Sequence, residues 1–294
     1  MTGPGEWPTV LSETRLYLRG STARRIAAVW MLAFALTSLL ITNPYAVAML
    51  RMDPSKADAY RLQLSLVAAS FYLVPLLAAL VVHDWYVRWH ELASRFGGES
   101  LPVYARSELV RIAFQSRILA FLAIFTASYL VASTLGLHSL WVRHGKLIGI
   151  VLLYIPAALY GLVFVVAGAA LARIAREADR AMLAIMILLG VLFVGVPIAS
   201  DLILAAEIGS MPLPGSPEWY SYLQNISALW GVRIYAISPP ELFLVLCTTA
   251  FAIGSSPPLW QASTSMVIFL ALAWAGFGFV GALTSRRKEL PASS

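Results

Sequence analysis

The side chains most able to do chemistry fall in one short stretch: His83, Asp84, His90 and Glu91. His83 and His90 are seven apart and would share one face of a helix, an arrangement that suits two imidazole ligands of a metal. Both stand where an apolar run ends, however, and solvated interfacial histidines account for them better than a site with too few ligands. His138 and His144 receive the same reading. A second candidate is Asp201, four residues after Pro197 inside an apolar run. A carboxylate at such a depth costs free energy and marks transport or gating by default, although Glu207 lies close enough for water to reach it. Pro75, Pro156 and Pro197 each free a backbone carbonyl inside an apolar run. Cys247 is the one cysteine and cannot pair within the chain. The chain has no G-x-x-x-x-G-K-[ST] loop, no G-x-G-x-x-G, no H-E-x-x-H and no G-x-S-x-G. Catalytic residues are therefore not assigned, no cofactor is expected on this chain, and any nucleotide energy must come from another polypeptide.

Composition decides what must hold these residues. Of 294 residues, 60% are hydrophobic and 12% charged, with a mean hydropathy of +0.77. A soluble domain carries about twice that share of charge, so the composition predicts an all-α polytopic membrane protein. Runs of about 20 apolar residues are needed to cross a hydrocarbon core roughly 30 Å thick. Six are present, at about 26–48, 62–82, 117–137, 147–171, 182–206 and 262–284. They are continuous rather than alternating, which excludes a barrel. The first is too long for a cleaved signal sequence and is expected to stay.

The net charge of +6 and pI near 9.6 fit membrane topology better than nucleic acid. With both termini cytoplasmic, only Arg51, Lys56, Arg61, Arg143, Lys146 and Arg233 lie outside, and the other 15 of the 21 basic residues lie inside. That distribution predicts a multi-pass protein of the plasma membrane, one transmembrane domain over 1–294. Residues 7–25 interleave Trp7, Val10, Leu11, Leu16, Tyr17 and Leu18 with Glu13, Arg15 and Arg19, the pattern of an amphipathic helix on the inner membrane surface. The inner segment 83–116 is expected to form two short helices broken by Gly97, Gly98 and Pro102. The outer segment 207–261 contains an apolar run at 242–254, too short to cross, which predicts a re-entrant or interfacial helix before the last span.

The inner segment also carries the most specific pattern. Glu91 and Leu92 precede Gly97-Gly98, followed by Leu101-Pro102-Val103-Tyr104-Ala105-Arg106-Ser107-Glu108-Leu109 and then Gln115-Ser116-Arg117. This resembles the loop between the second and third spans of ABC-2 type permeases, the membrane-spanning subunits of ATP-binding cassette exporters. The resemblance extends to the elbow helix before the first span, the six spans, the Ser-Pro-containing outer segment and the basic tail Ser285-Arg286-Arg287-Lys288-Glu289. Ala105 is an extra residue before Arg106, and His83-Asp84 stands where the family has an Arg-Glu pair, which affects the register of the coupling helix. The resemblance implies coupling to an ATPase through Glu91, Leu101, Pro102, Val103, Arg106, Glu108 and Arg111. It further implies ATP and Mg bound on a cytoplasmic ABC ATPase partner, and a second permease copy or related permease beside this chain in the bilayer.

Two other classes compete. A proton-coupled secondary transporter would depend on Asp201, but one membrane carboxylate and no internal repeat give it little equipment. A polytopic membrane enzyme or assembly scaffold would use His83, Asp84, His90 and Glu91, without a supporting motif.

Overall fold

A computed structural model of the chain describes residues 9–40, 61–95, 103–138, 147–175, 178–208, 233, 236, 238–250 and 259–286. The described elements are helical throughout, and no strand occurs among them. They are α1 (Val10–Arg19), α2 (Ser21–Leu40), α3 (Arg61–Arg95), α4 (Val103–His138), α5 (Leu147–Ala175), α6 (Ala178–Gly190), a π-helical turn (Val191–Gly195), α7 (Val196–Ile208), α8 (Pro239–Ala250) and α9 (Leu259–Arg286). In apolar surroundings a helix is the conformation that satisfies every backbone polar group within its own segment.

Five helical stretches are long and apolar enough to cross a membrane: Leu62–Leu92, Ala105–Gly136, Ile150–Ala175, Asp179–Ala206 and Ser263–Ala282. They coincide with the second to sixth expected spans. The first expected span is helical over its described part in α2, and its remainder, 41–48, lies outside the described residues. So do 209–232 and 251–258 of the outer segment and the tail from 287 onward.

The inner segment differs from the expected pair of separate short helices. Residues 83–95 continue α3 without a break and 103–116 open α4. The stretch from His83 to Arg95 contains neither Gly nor Pro, whereas Gly97, Gly98 and Pro102 all fall in the connection. Two long helices thus carry their polar ends well beyond their apolar lengths.

The core lies where α3, α4 and α5 cross, with α2 against α4 and α9 against α5. At Gly161 of α5 an added Cβ would stand 2.2 Å from Phe121 and 2.7 Å from Val74. The three helices therefore touch at a point that only glycine permits. Pro75 interrupts the hydrogen-bond ladder of α3 and leaves the Phe71 carbonyl without its usual donor. The Tyr160 hydroxyl of α5, wholly buried, donates to that carbonyl at 3.3 Å.

Pro197 has the same effect in the fifth span, where its missing N–H and its ring disfavour an α-helical turn. The chain responds with the π-helical turn, closed by the Val196 amide on the Val191 carbonyl. That turn sets Phe193 against Phe71, the rings perpendicular with centroids 5.1 Å apart.

α8 starts on Ser238, whose carbonyl accepts from the Leu242 amide at 3.0 Å, with Pro239 and Pro240 at positions where a missing N–H costs nothing. Its 12 residues rise about 18 Å. The helix does not lie on the surface of the bundle. Leu242, Phe243, Leu246 and Cys247 are buried against α5, α9 and α3, and Phe243 stacks on Tyr160 with centroids 4.6 Å apart.

Candidate functional site

Among the described residues, a cluster of buried charge lies at one end of the bundle, under α1. α1 is nucleated by a reciprocal cap: the Ser12 amide donates to Thr9 Oγ1 at 3.2 Å and the Thr9 amide to Ser12 Oγ at 3.0 Å. It stops at Gly20, extended at φ −66° and ψ 150°, where a Cβ would press to 3.0 Å from the Tyr17 carbonyl. α2 restarts at once from Ser21. This corner folds α1 back so that Glu13, Thr14 and Tyr17 are buried, while Leu11 and Leu16 remain exposed. The buried face is thus polar, and the exposed face is partly apolar.

Glu13, Thr14 and the Tyr17 ring each meet a residue of α3 or α4. Arg88 Nε donates to Glu13 Oε1 at 2.7 Å and its terminal nitrogen to Oε2 at 3.2 Å, a two-point clasp between α3 and α1. A second terminal nitrogen of Arg88 donates to Glu91 at 3.0 Å. The Thr14 hydroxyl lies 3.4 Å from the Ser116 carbonyl of α4. Arg117, 2% exposed, places its guanidinium 3.7 Å from the centre of the Tyr17 ring and Nε 3.2 Å from Asp84 Oδ2, an ion contact without hydrogen-bond alignment. Burial, and after it the Asp84 carboxylate, raise the Tyr17 phenol well above its ordinary range, with Arg117 pulling the other way. Tyr17 is therefore a neutral hydroxyl at any physiological pH.

These groups surround a cavity of about 320 Å³ that opens between α1, the first turn of α2 and the polar ends of α3 and α4. Glu13, Asp84 and Glu91 face Arg88 and Arg117 across it. A buried charge is tolerated only when paired, so the cluster locks α1 to the α3–α4 hairpin through its charges.

Of the residues singled out from sequence, Glu91 belongs to this cluster, exposed and held by Arg88. Arg106 is half-buried near the start of α4, and Glu108 pairs with Arg111 one turn on. Val103 opens α4, while Leu101 and Pro102 lie outside the described residues. Pro197 is half-buried, and Asp201 is exposed on α7, facing away from the bundle. His83 is half-buried and His90 is exposed, packed on Tyr86 and Trp89. Among the described residues no three His, Cys, Asp or Glu side chains gather as a metal site needs.

Glu13, Arg88 and Arg117 were missed as site residues, and Asp84 was weighed only as a companion of His83, His90 and Glu91. A signal was present: Asp84, Arg88 and Glu91 are spaced i, i+4, i+7 and line one helix face, and Glu13 and Tyr17 are spaced i, i+4. Compared with protein-family models and with curated proteins, the chain matches none.

Proposed function

We propose that the chain is the membrane-spanning subunit of an ATP-driven transporter of the ABC-2 type, an exporter powered by a separate cytoplasmic ATPase. The observation that carries this reading is the clasp of α1 onto the polar ends of α3 and α4. ATP binding on the partner would move the connection between those ends. Because Arg88 and Arg117 tie the surface helix to the same two helices, α1, α3 and α4 would move as a unit. The spans would then rock and open a path to the other side. Glu91, Leu101, Pro102, Val103, Arg106, Glu108 and Arg111 would form the docking face.

A second permease copy completes the reading. The candidate spans Asp179–Ala206 and Ser263–Ala282 are only 17% and 11% buried within this chain, and Asp201 stands on the exposed side of the first of these. A carboxylate facing lipid is costly, and a neighbouring copy would give it a polar setting. α8, packed among the spans and shorter than a bilayer core, would be re-entrant from the outer side.

The orientation is tested with single cysteines at positions 233, 256 and 288 after replacement of the buried Cys247. An impermeant thiol reagent applied to sealed cells is expected to label 233 and 256 and to leave 288 untouched. Labelling of 288 from outside would remove the six-span layout, and the transporter family with it.

A further inference from the structure

Among the described residues, the guanidiniums of Arg88, Arg111 and Arg117 each meet a carboxylate, whereas that of Arg173 meets none. Arg173 stands in the last turn of α5, half-buried, two residues before the end of the candidate span Ile150–Ala175. Its side chain lies across α9. One terminal nitrogen donates to the Phe277 carbonyl at 3.1 Å, and the guanidinium carbon is 4.4 Å from the centre of the Phe277 ring. Gly281, one turn further along α9, leaves room for this arrangement, since a Cβ there would collide with the same nitrogen.

These contacts hold the guanidinium without neutralising it. The Phe277 carbonyl is interior to α9 and already serves that helix's own ladder, and the face of a phenyl ring is a weak counter-charge. Nε and the second terminal nitrogen make no hydrogen bond among the described residues, and unlike the Nε of Arg117 neither is sealed from the surface. A planar guanidinium fixed on one side and open along the other edge suits a bidentate anionic acceptor.

Depth selects the acceptor. From Ile150 to Arg173 the span rises about 34 Å, more than a hydrocarbon core about 30 Å thick, so the open edge lies among headgroups. The anion that a bilayer supplies at that level is a lipid phosphate. Ile174 and Trp274 are exposed to either side, the Trp274 ring 6.2 Å from that of Phe277, and they offer apolar surface to acyl chains. The chain that follows α5 and α9 adds Arg176, Arg180, Arg286, Arg287 and Lys288 against three acids. That excess disfavours a headgroup carrying its own ammonium.

We propose that the seam between the ends of α5 and α9 binds the phosphate of an anionic phospholipid through Arg173. The lipid supplies the charge that the helices do not, and it joins α9, little covered by the rest of the chain, to α5 at this end. The site belongs to the resting chain and needs no ATPase, so its failure and that of the transport reading are separable.

The test uses the purified full-length chain and native mass spectrometry with phosphatidylglycerol and phosphatidylethanolamine in competition. One phosphatidylglycerol is expected to be retained about fivefold better, the worth of one basic side chain toward an anionic lipid. Arg173→Gln should abolish that preference with helical content unchanged. Arg95→Gln, which removes an exposed charge at the end of α3, should leave it intact. If Arg173→Gln fails to fold, Arg173→Met decides in its place, because it keeps an unbranched stem over Phe277 and leaves no donor to pair; if both fail, the preference of the unaltered chain decides. Equal retention of the two lipids, no loss in the Arg173 variant, or an equal loss in Arg95→Gln would overturn the proposal. Displacement of the lipid by millimolar inorganic phosphate would overturn the lipid assignment.

Discussion

Replacing Arg88 with alanine is expected to be the most damaging single change in the polar part of the molecule, at about 3–5 kcal/mol. Glu13 is 3% exposed, and both its carboxylate oxygens accept from Arg88. Without that guanidinium the carboxylate is buried and uncompensated, and the cheapest response is for α1 to leave its seat. Hydrogen exchange over residues 10–19 should rise sharply in Arg88→Ala while the amides of α5 stay protected. Glu13→Gln should cost less, because the amide can still accept. The double variant Glu13→Gln with Arg88→Met should recover most of the loss, since removing both charges is far milder than removing one. Additive costs in the double variant would mean that the two residues act separately.

Arg106→Glu is expected to have the largest effect on function with little effect on folding. Arg106 lies one turn into α4 and is half-buried. On the proposed reading it faces the ATPase, and a reversed charge there opposes its contact by a few kcal/mol. Substrate-stimulated ATP hydrolysis and transport should fall at least tenfold in reconstituted vesicles, while the melting transition of the spans is retained. Unchanged coupling in a well-folded Arg106→Glu protein would count heavily against the docking face.

The five long apolar helices were legible because membrane crossing imposes both a length and a composition, and their apolar lengths carry few charges to blur the boundaries. The ends of the spans were less legible. α3 and α4 continue past their apolar lengths, since nothing from His83 to Arg95 stops a helix and hydropathy records only where the lipid ends. The burial of α8 was left open because a run as short as 242–254 fits a surface helix or an inserted one equally well. What decides is Phe243 meeting Tyr160, a contact between residues far apart in the chain.

The site was partly visible. Glu91 stood out in the inner motif and Asp84 beside His83 and His90, whereas Arg88 counted only among the basic residues of the inner side. Glu13 read as part of the polar face of an amphipathic helix. The structure buries Glu13 together with Tyr17 and leaves Leu11, Arg15, Leu16 and Arg19 exposed. Only the partner surface could have revealed this. Periodicity finds which residues share a face, and the charges on α3 and α4 determine which face turns inward.

The central claim, that an ATPase docks at the connection between α3 and α4, is tested most directly by a photo-crosslinking residue placed at position 103 and irradiated in native membranes. The expected product is a single adduct with a polypeptide carrying a G-x-x-x-x-G-K-[ST] phosphate loop, lost when Arg106→Glu is introduced. An adduct with any other protein, or no adduct while the chain is folded in the membrane, would contradict the account.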